Sequence, residues 1–292
     1  MGRQIYAAIA DGILEGGVYA LMAVGLTLIF GVLDIINIAQ GILVVTGAYL
    51  SYVLSVHLHI DLFLGLLVTV PAMFILGLGI YWAFIRPLRG RERTSMSLLA
   101  CYAVAIIIEG VLYWIFGANE ETLHASYITN SFRVFGFYLS DIYVYGFILA
   151  VALVIGLYLL LYRTRFGRSV RATMQDETAA RLVGIDVNRV AALTFGIGVA
   201  VTAAGGMVYG ATNSFNANSG YDLISRLLAI IILGGMGSLG GALGAAVFMI
   251  TLESVVTIWY PTWAVAVFYA ALVLVLVFRP NGFFGAKAVR AQ

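Results

Sequence analysis

RTRFGRSVRATMQDETAARLVGIDVNR, residues 163–189, is the one long charge-dense interruption in a chain of 292 residues that is 62% hydrophobic. It carries six of the sixteen basic side chains, Arg163, Arg165, Arg168, Arg171, Arg181 and Arg189, and an apolar run of bilayer-crossing length lies on each side. So many arginines do not lie in hydrocarbon, and the segment is therefore a loop outside the bilayer that joins two spans. Within it, Thr173-Met-Gln-Asp176 reads as a capping box with Asp in place of Glu. It opens a helix of about two turns over residues 177–183, stopped by Gly184. Met174, Thr178 and Leu182 fall on one face, and Glu177 and Arg181 make an i, i+4 pair in the favourable order. A helix this short is unstable alone, so either it packs on its own spans or on a partner protein, or the loop is a solvated connector.

Outward from this loop the chain is membrane. Charged residues make up only 10% of it and the mean hydropathy is +1.02, far from soluble proteins. Apolar runs cover residues 5–32, 41–56, 62–85, 95–117, 142–162, 190–211, 223–233, 242–259 and 262–278. The reading is an all-α, polytopic transmembrane bundle of seven to nine spans with broken or re-entrant helices, forming a single domain over 1–292. The first run exceeds signal-peptide length and no small-residue cleavage site follows it, so it is expected to be retained. Basic residues set the orientation: four in 86–94, six in 163–189 and three after residue 278 account for thirteen of sixteen, which places these three segments in the cytoplasm and the amino terminus outside.

Chemistry is conspicuous by its absence. The single cysteine, Cys101, rules out an internal disulfide and a cysteine metal cluster, and His57, His59 and His124 give no ligand spacing, so no metal site is expected. No G-x-x-x-x-G-K-[ST], G-x-S-x-G or H-E-x-x-H occurs, so the chain is expected to be no enzyme, to hold no cofactor and to bind no nucleic acid. Any energy source must be another chain or an ion gradient. Two interruptions matter more. Residues 34–41, with Asn37, Gln40 and Gly41, and residues 234–241, with Gly234, Gly235 and Gly237, break apolar runs. Irregular backbone at membrane depth persists only against protein or a water-filled cavity, so these residues are candidates for a translocation pathway, the alternative being surface turns between paired spans. Glu15, Glu109, Arg226 and Glu253 are ionisable groups inside the apolar runs, with Glu109 expected deepest.

Four stretches then carry a family resemblance: DGILEGGVYALMAVGLTLIFGVLDIINIAQG (11–41), GRSVRATMQDETAARLVGI (167–185), ILGGMGSLGGALGA (232–245) and RPNGFFG (279–285). Together, in this order, they resemble the LivH-type permease subunits of branched-chain amino acid ABC importers. The resemblance implies a permease of the bacterial inner membrane that pairs with a second, homologous permease, two cytoplasmic ATP-binding subunits that bind ATP and Mg, and a periplasmic substrate-binding protein. It implies that the charged loop holds a coupling helix, with Met174, Glu177, Ala180, Leu182 and Gly184 at the contact. Glu177-Thr-Ala179-Ala180 followed by Gly184 departs from the family's EAA---G pattern at Thr178, and Asn37-Ile-Ala-Gln40-Gly41 stands where Asn-Phe-Ala-His-Gly is common. The competing reading is an ion-coupled secondary transporter or facilitator of small polar solutes such as urea or short amides.

Overall fold

The computed structural model describes residues 2–88, 93–125, 128, 131–134, 137–280 and 282–283. The expected basic side chains Arg89, Arg91, Lys287 and Arg290 lie outside them. Eleven α-helices are described: α1 (Gly2–Leu33), α2 (Gln40–Leu58), α3 (Leu62–Ile80), α4 (Arg93–Phe116), α5 (Asp141–Arg163), α6 (Arg165–Gln175), α7 (Glu177–Leu182), α8 (Val187–Thr212), α9 (Ser219–Gly234), α10 (Leu239–Trp259) and α11 (Pro261–Phe278). Eight are long and apolar enough to span a bilayer, α3 being extended by a π-turn over Tyr81–Ile85. The sixteen residues of α9 reach about 24 Å at 1.5 Å per residue, short of a bilayer core, which makes it the shortened element of the bundle. Extended backbone among the described residues forms a small antiparallel hairpin, β1 (Ser131–Val134) and β2 (Phe137–Ser140), in the polar stretch before α5, and a bridge between Glu121 and Phe215.

Glycine sets the packing of the centre. Backbones approach closely where no Cβ intervenes, the means by which helices associate without a hydrophobic driving force between them. Gly12 and Gly16 of α1 lie against Thr251 and Val247 of α10, so these two helices run antiparallel. Gly25 lies against Gly198 and Thr202 of α8, while Gly206 of α8 meets the Val44 carbonyl and Gly210 meets Ala48, so α2 runs alongside α8 in the same direction. As a result α1 and α8 are largely enclosed, whereas α4, α5 and α11 expose most of their apolar surface.

These directions explain the first break. α1 ends at Leu33, Asp34 takes the left-handed conformation, and by Gln40 the chain is again beside Gly25, well inside α1. Residues 34–39 therefore double back into the bundle, and α2 begins in the interior rather than at the surface. Ile35, Asn37 and Gln40 have no exposed surface. Of the two readings left open for this break, the surface turn does not describe it.

Candidate functional site

The polar side chains of the first break bond to one another, with Asn37 Oδ1 left without a partner among the described residues. Asn37 Nδ2 donates to Gln40 Oε1 at 2.8 Å, Gln40 Nε2 donates to Thr202 Oγ1, and Thr202 Oγ1 donates to the Gly198 carbonyl at 2.8 Å. Buried amides need such partners because no water replaces them. Gly41 permits the arrangement: a Cβ there would collide with the Gly220 carbonyl and come within 2.8 Å of the Ile224 nitrogen.

The second break is a tight turn. Gly235 and Gly237 have positive φ, Ser238 caps α10 by accepting from Gly241 N at 3.1 Å, and Phe283 N donates to the Leu233 carbonyl at 2.8 Å, which ends α9. Gly234 faces the Gly241 carbonyl too closely for any side chain. Gly237, with Ser238 and Leu239, lines a cavity of about 1000 Å³ whose other walls come from α1, α5 and α6. Its inner part is apolar, with Val24, Leu28, Val154 and Leu157, and Asp34, Arg171 and Glu177 also line it. Asn37, Gln40 and Gly41 do not line this cavity.

The charged loop is an elbow of two helices. Thr164 caps α6, accepting from Gly167 N at 3.0 Å, and Gly167 lies against the carbonyls of Leu160 and Leu161, folding α6 back on the end of α5. Arg171 Nη1 donates to the Leu161 carbonyl at 2.5 Å. Asp176 then breaks the helix and accepts from the nitrogens of Thr178 and Ala179 at 2.8 and 3.0 Å, so it, and not Thr173, caps α7. Thr173 lies inside α6, buried and bonded to the Ser169 carbonyl at 2.9 Å, which leaves it no amide to cap. The expected pair forms, with Arg181 Nη2 on Glu177 Oε1 at 2.6 Å, and Gly184 has φ +84°. Of the expected shared face, Thr178 and Leu182 stay together four residues apart on α7, and Met174 leaves it. Met174 belongs to α6 and its methyl lies so near Gly31 of α1 that a Cβ there would approach it to 2.7 Å. Ala180 is 3% exposed and faces inward, while Leu182 and Val183 are 84% and 76% exposed. Val183, the last residue of the expected helix before the glycine stop, thus joins Leu182 at the exposed tip.

Glu109, half-exposed on α4, accepts from Tyr221 Oη at 2.6 Å. Arg226 and Glu253 are joined by a 2.5 Å contact, Nη1 to Oε2, between α9 and α10. With Glu15 they line a second cavity, of about 380 Å³, on the same side of α9 as the loop at 213–218. Neither Asn37 nor Gln40 lines it.

Comparison with known proteins follows this architecture. The family model described as branched-chain amino acid transport system / permease component matches residues 8–276. The high-affinity branched-chain amino acid transport system permease protein BraD of Pseudomonas aeruginosa is 28% identical over 300 aligned residues, 96% of each chain. The corresponding permease protein LivH of Escherichia coli K12 is 27% identical over 299, covering 96% of this chain and 95% of its own. Among solved structures, PsaBC of Streptococcus pneumoniae in complex with Fab shares the fold, with a TM-score of 0.50 over 95% of this chain and 92% of that one, at 14% identity.

Proposed function

This chain belongs to the branched-chain amino acid transport system permease family, and we propose that it is the membrane-spanning subunit of an ATP-driven importer of branched-chain or related amino acids. It is a multi-pass membrane protein and a transport component, not an enzyme. In this reading residues 1–292 act as one permease domain in the bacterial inner membrane, with 163–189 in the cytoplasm. The partners are a second homologous permease, two ATP-binding subunits that hold ATP and Mg, and a periplasmic binding protein; the chain itself holds no cofactor.

The observation that carries the proposal is the α6–α7 elbow. It is fixed at both ends, by Gly167 and Arg171 on α5 and by Ala180 packed inward, yet it presents Leu182 and Val183 bare at its tip. Exposed apolar side chains on an ordered, capped helix mark a docking surface for protein. Glu177 stands at the positive start of α7 and Gly184 gives its left-handed stop, so both define the tip that an ATPase subunit would grip. The pathway is assigned to the cavity beside Gly237, with Gly234 and Gly235 shaping its turn; the Asn37, Gln40 and Gly41 segment lies outside its lining.

The test uses the assembled complex in proteoliposomes with ATP inside the ATPase-facing compartment. Leucine uptake and substrate-stimulated ATP hydrolysis are measured for the unaltered chain, Gly184→Val and Glu177→Lys. Nothing lies within 4 Å of a Cβ at Gly184, so the cost there is backbone strain of about 1–3 kcal/mol, too small to unfold the bundle. Both variants should insert and assemble while losing coupled uptake. Full coupling in both would make the loop a connector, and uptake by the chain alone without ATP would establish the secondary transporter in its place.

A further inference from the structure

Four ionisable side chains, distant in sequence, meet in the 380 Å³ cavity. Glu15 comes from α1, Asp222 and Arg226 from α9 and Glu253 from α10, with Tyr209 and Asn213 of α8 completing the wall. The Arg226–Glu253 pair is neutral as a unit, and at 22% and 14% exposure it is mostly withdrawn from solvent. Two carboxylates then remain outside any direct ion pair among the described residues: Glu15, half-buried and within the field of Arg226, and Asp222, exposed at the rim. Unpaired carboxylates within spans are costly and persist where they serve a ligand or a pathway.

Among the other groups of the wall, Asn213 offers an acceptor. Asn213 Nδ2 is taken by the Tyr209 carbonyl and Thr212 Oγ1, which leaves its carbonyl oxygen for a ligand. Ser254 and Thr257 donate away to the carbonyls of Ala8 and Glu253 at 2.9 and 2.8 Å. Independently of the carboxylates, Tyr19 lines the same cavity with a side chain only 5% exposed, and its hydroxyl has no hydrogen-bond partner among the described residues. A hydroxyl that opens on a cavity bonds to water there, or to a ligand that displaces the water. No group of three or more residues able to hold a metal ion occurs among the described residues. What this wall lacks is a compact cation with several donors, and a protonated primary amine supplies one charge and three N–H groups.

We propose that this cavity binds the protonated amine of a small solute, with Asp222 drawing it in at the rim and Glu15 and Tyr19 holding it inside. For the amino-acid substrate proposed above, on which this part of the inference rests, the bound group is the α-ammonium. The volume lies near the lower end of the range of small-molecule sites, roughly 300–1,000 Å³, and admits one such molecule.

The experiment is ligand protection in the full chain, held in lipid nanodiscs. Thr257→Cys in a Cys101→Ala background places a thiol at the exposed edge of the cavity, and Asn213→Cys is a second reporter on the opposite helix. Labelling by a membrane-impermeant thiol reagent is timed with millimolar leucine, with 3-methylbutylamine, which is leucine without its carboxylate, and with 4-methylpentanoate, which lacks the amine. Leucine and the amine should slow labelling several-fold and the acid should not. Glu15→Gln should abolish the protection, and Asp222→Asn should weaken it. Equal protection by 4-methylpentanoate, or none by any probe at either reporter, overturns the proposal. Protection by the amine in a complex that shows no ATP-dependent leucine uptake would sink the transport reading and keep the site, and coupled uptake without protection would do the reverse.

Discussion

Replacing Gln40 by Leu tests whether the re-entrant segment is held by its polar network, and the hydrogen bonds fix the size of the effect. Thr202 keeps its own bond to the Gly198 carbonyl, so the loss falls on Asn37, whose Nδ2 donates only to Gln40 and whose Oδ1 already has no partner among the described residues. One newly orphaned, fully buried donor costs about 1–3 kcal/mol, and the near-equal volume of Leu adds less than about 1.5 kcal/mol. Asn37→Leu alone should cost less, because it removes one orphan while leaving Gln40 Oε1 without its donor. The double variant leaves neither, so its cost should fall below the sum of the two by about 1–2 kcal/mol. Hydrogen-bond couplings in membrane proteins average about 0.6 kcal/mol and reach about 1.7 kcal/mol, and this pair belongs at the upper end because neither residue has any exposed surface for an alternative partner. Equilibrium unfolding in mixed micelles, followed by helicity, gives the four free energies of the cycle. Additivity within about 0.3 kcal/mol refutes the network. Full stability of Gln40→Leu joined to lost uptake would instead assign the amide to the passage itself.

Gly41→Ala should destabilise by about 1–3 kcal/mol, since its Cβ meets backbone of α9 that cannot rotate away, whereas Gly110→Ala on α4, with nothing within 4 Å, should gain about 0.5–1 kcal/mol in the same unfolding assay. Arg226→Met leaves Glu253 unpaired and should cost about 3–5 kcal/mol, while Arg226→Met/Glu253→Leu should recover most of the unfolding midpoint. Cysteines placed at Asn119 and Gln175 in a Cys101→Ala background should react with impermeant reagent from opposite sides of the membrane, and labelling of both from outside would overturn the orientation.

The spans were legible because a bilayer demands long apolar runs, and the observed ends of α3, α5 and α10 lie close to where the hydropathy changes. Gly196 and Gly198 face neighbouring helices tightly, whereas Gly240 has open space. What could not be read was direction after a break: DIINIAQ looks the same as a surface turn and as a segment folding inward, because the difference lies in Gly25 and Thr202, remote in sequence. RFGRSVRATMQ reads as solvated loop from its three arginines, yet Gly167, Val170 and Thr173 recur at helical spacing and are the residues of α6 that are buried. That spacing was available and the charge masked it. Glu15, Arg226 and Glu253 were noticed singly, and nothing local could join residues 238 positions apart.

The distribution of empty space separates the parts of the bundle that can move from those that cannot. Around α1, α2, α8 and α10, backbone meets backbone at glycines, and a close-packed interior transmits displacement without absorbing it. The elbow rests on this core through Met174 over Gly31 and along α8, where Val170 and Ala180 are buried, and is tied to the end of α5 through Gly167 and Arg171. α5 is among the exposed spans, and the 1000 Å³ cavity lies between it and α1. A partner that pushes on Leu182 and Val183 therefore moves α5 into or away from a void, which involves no compression of packed atoms, while the re-entrant segment stays fixed by the Asn37, Gln40 and Thr202 bonds. Under the proposed coupling, the width of the cavity beside Gly237 is the coordinate that ATP hydrolysis changes. A disulfide between α1 and α5 across that cavity should accordingly arrest uptake in the oxidised complex and release it on reduction, and uptake indifferent to the cross-link would place the moving boundary elsewhere.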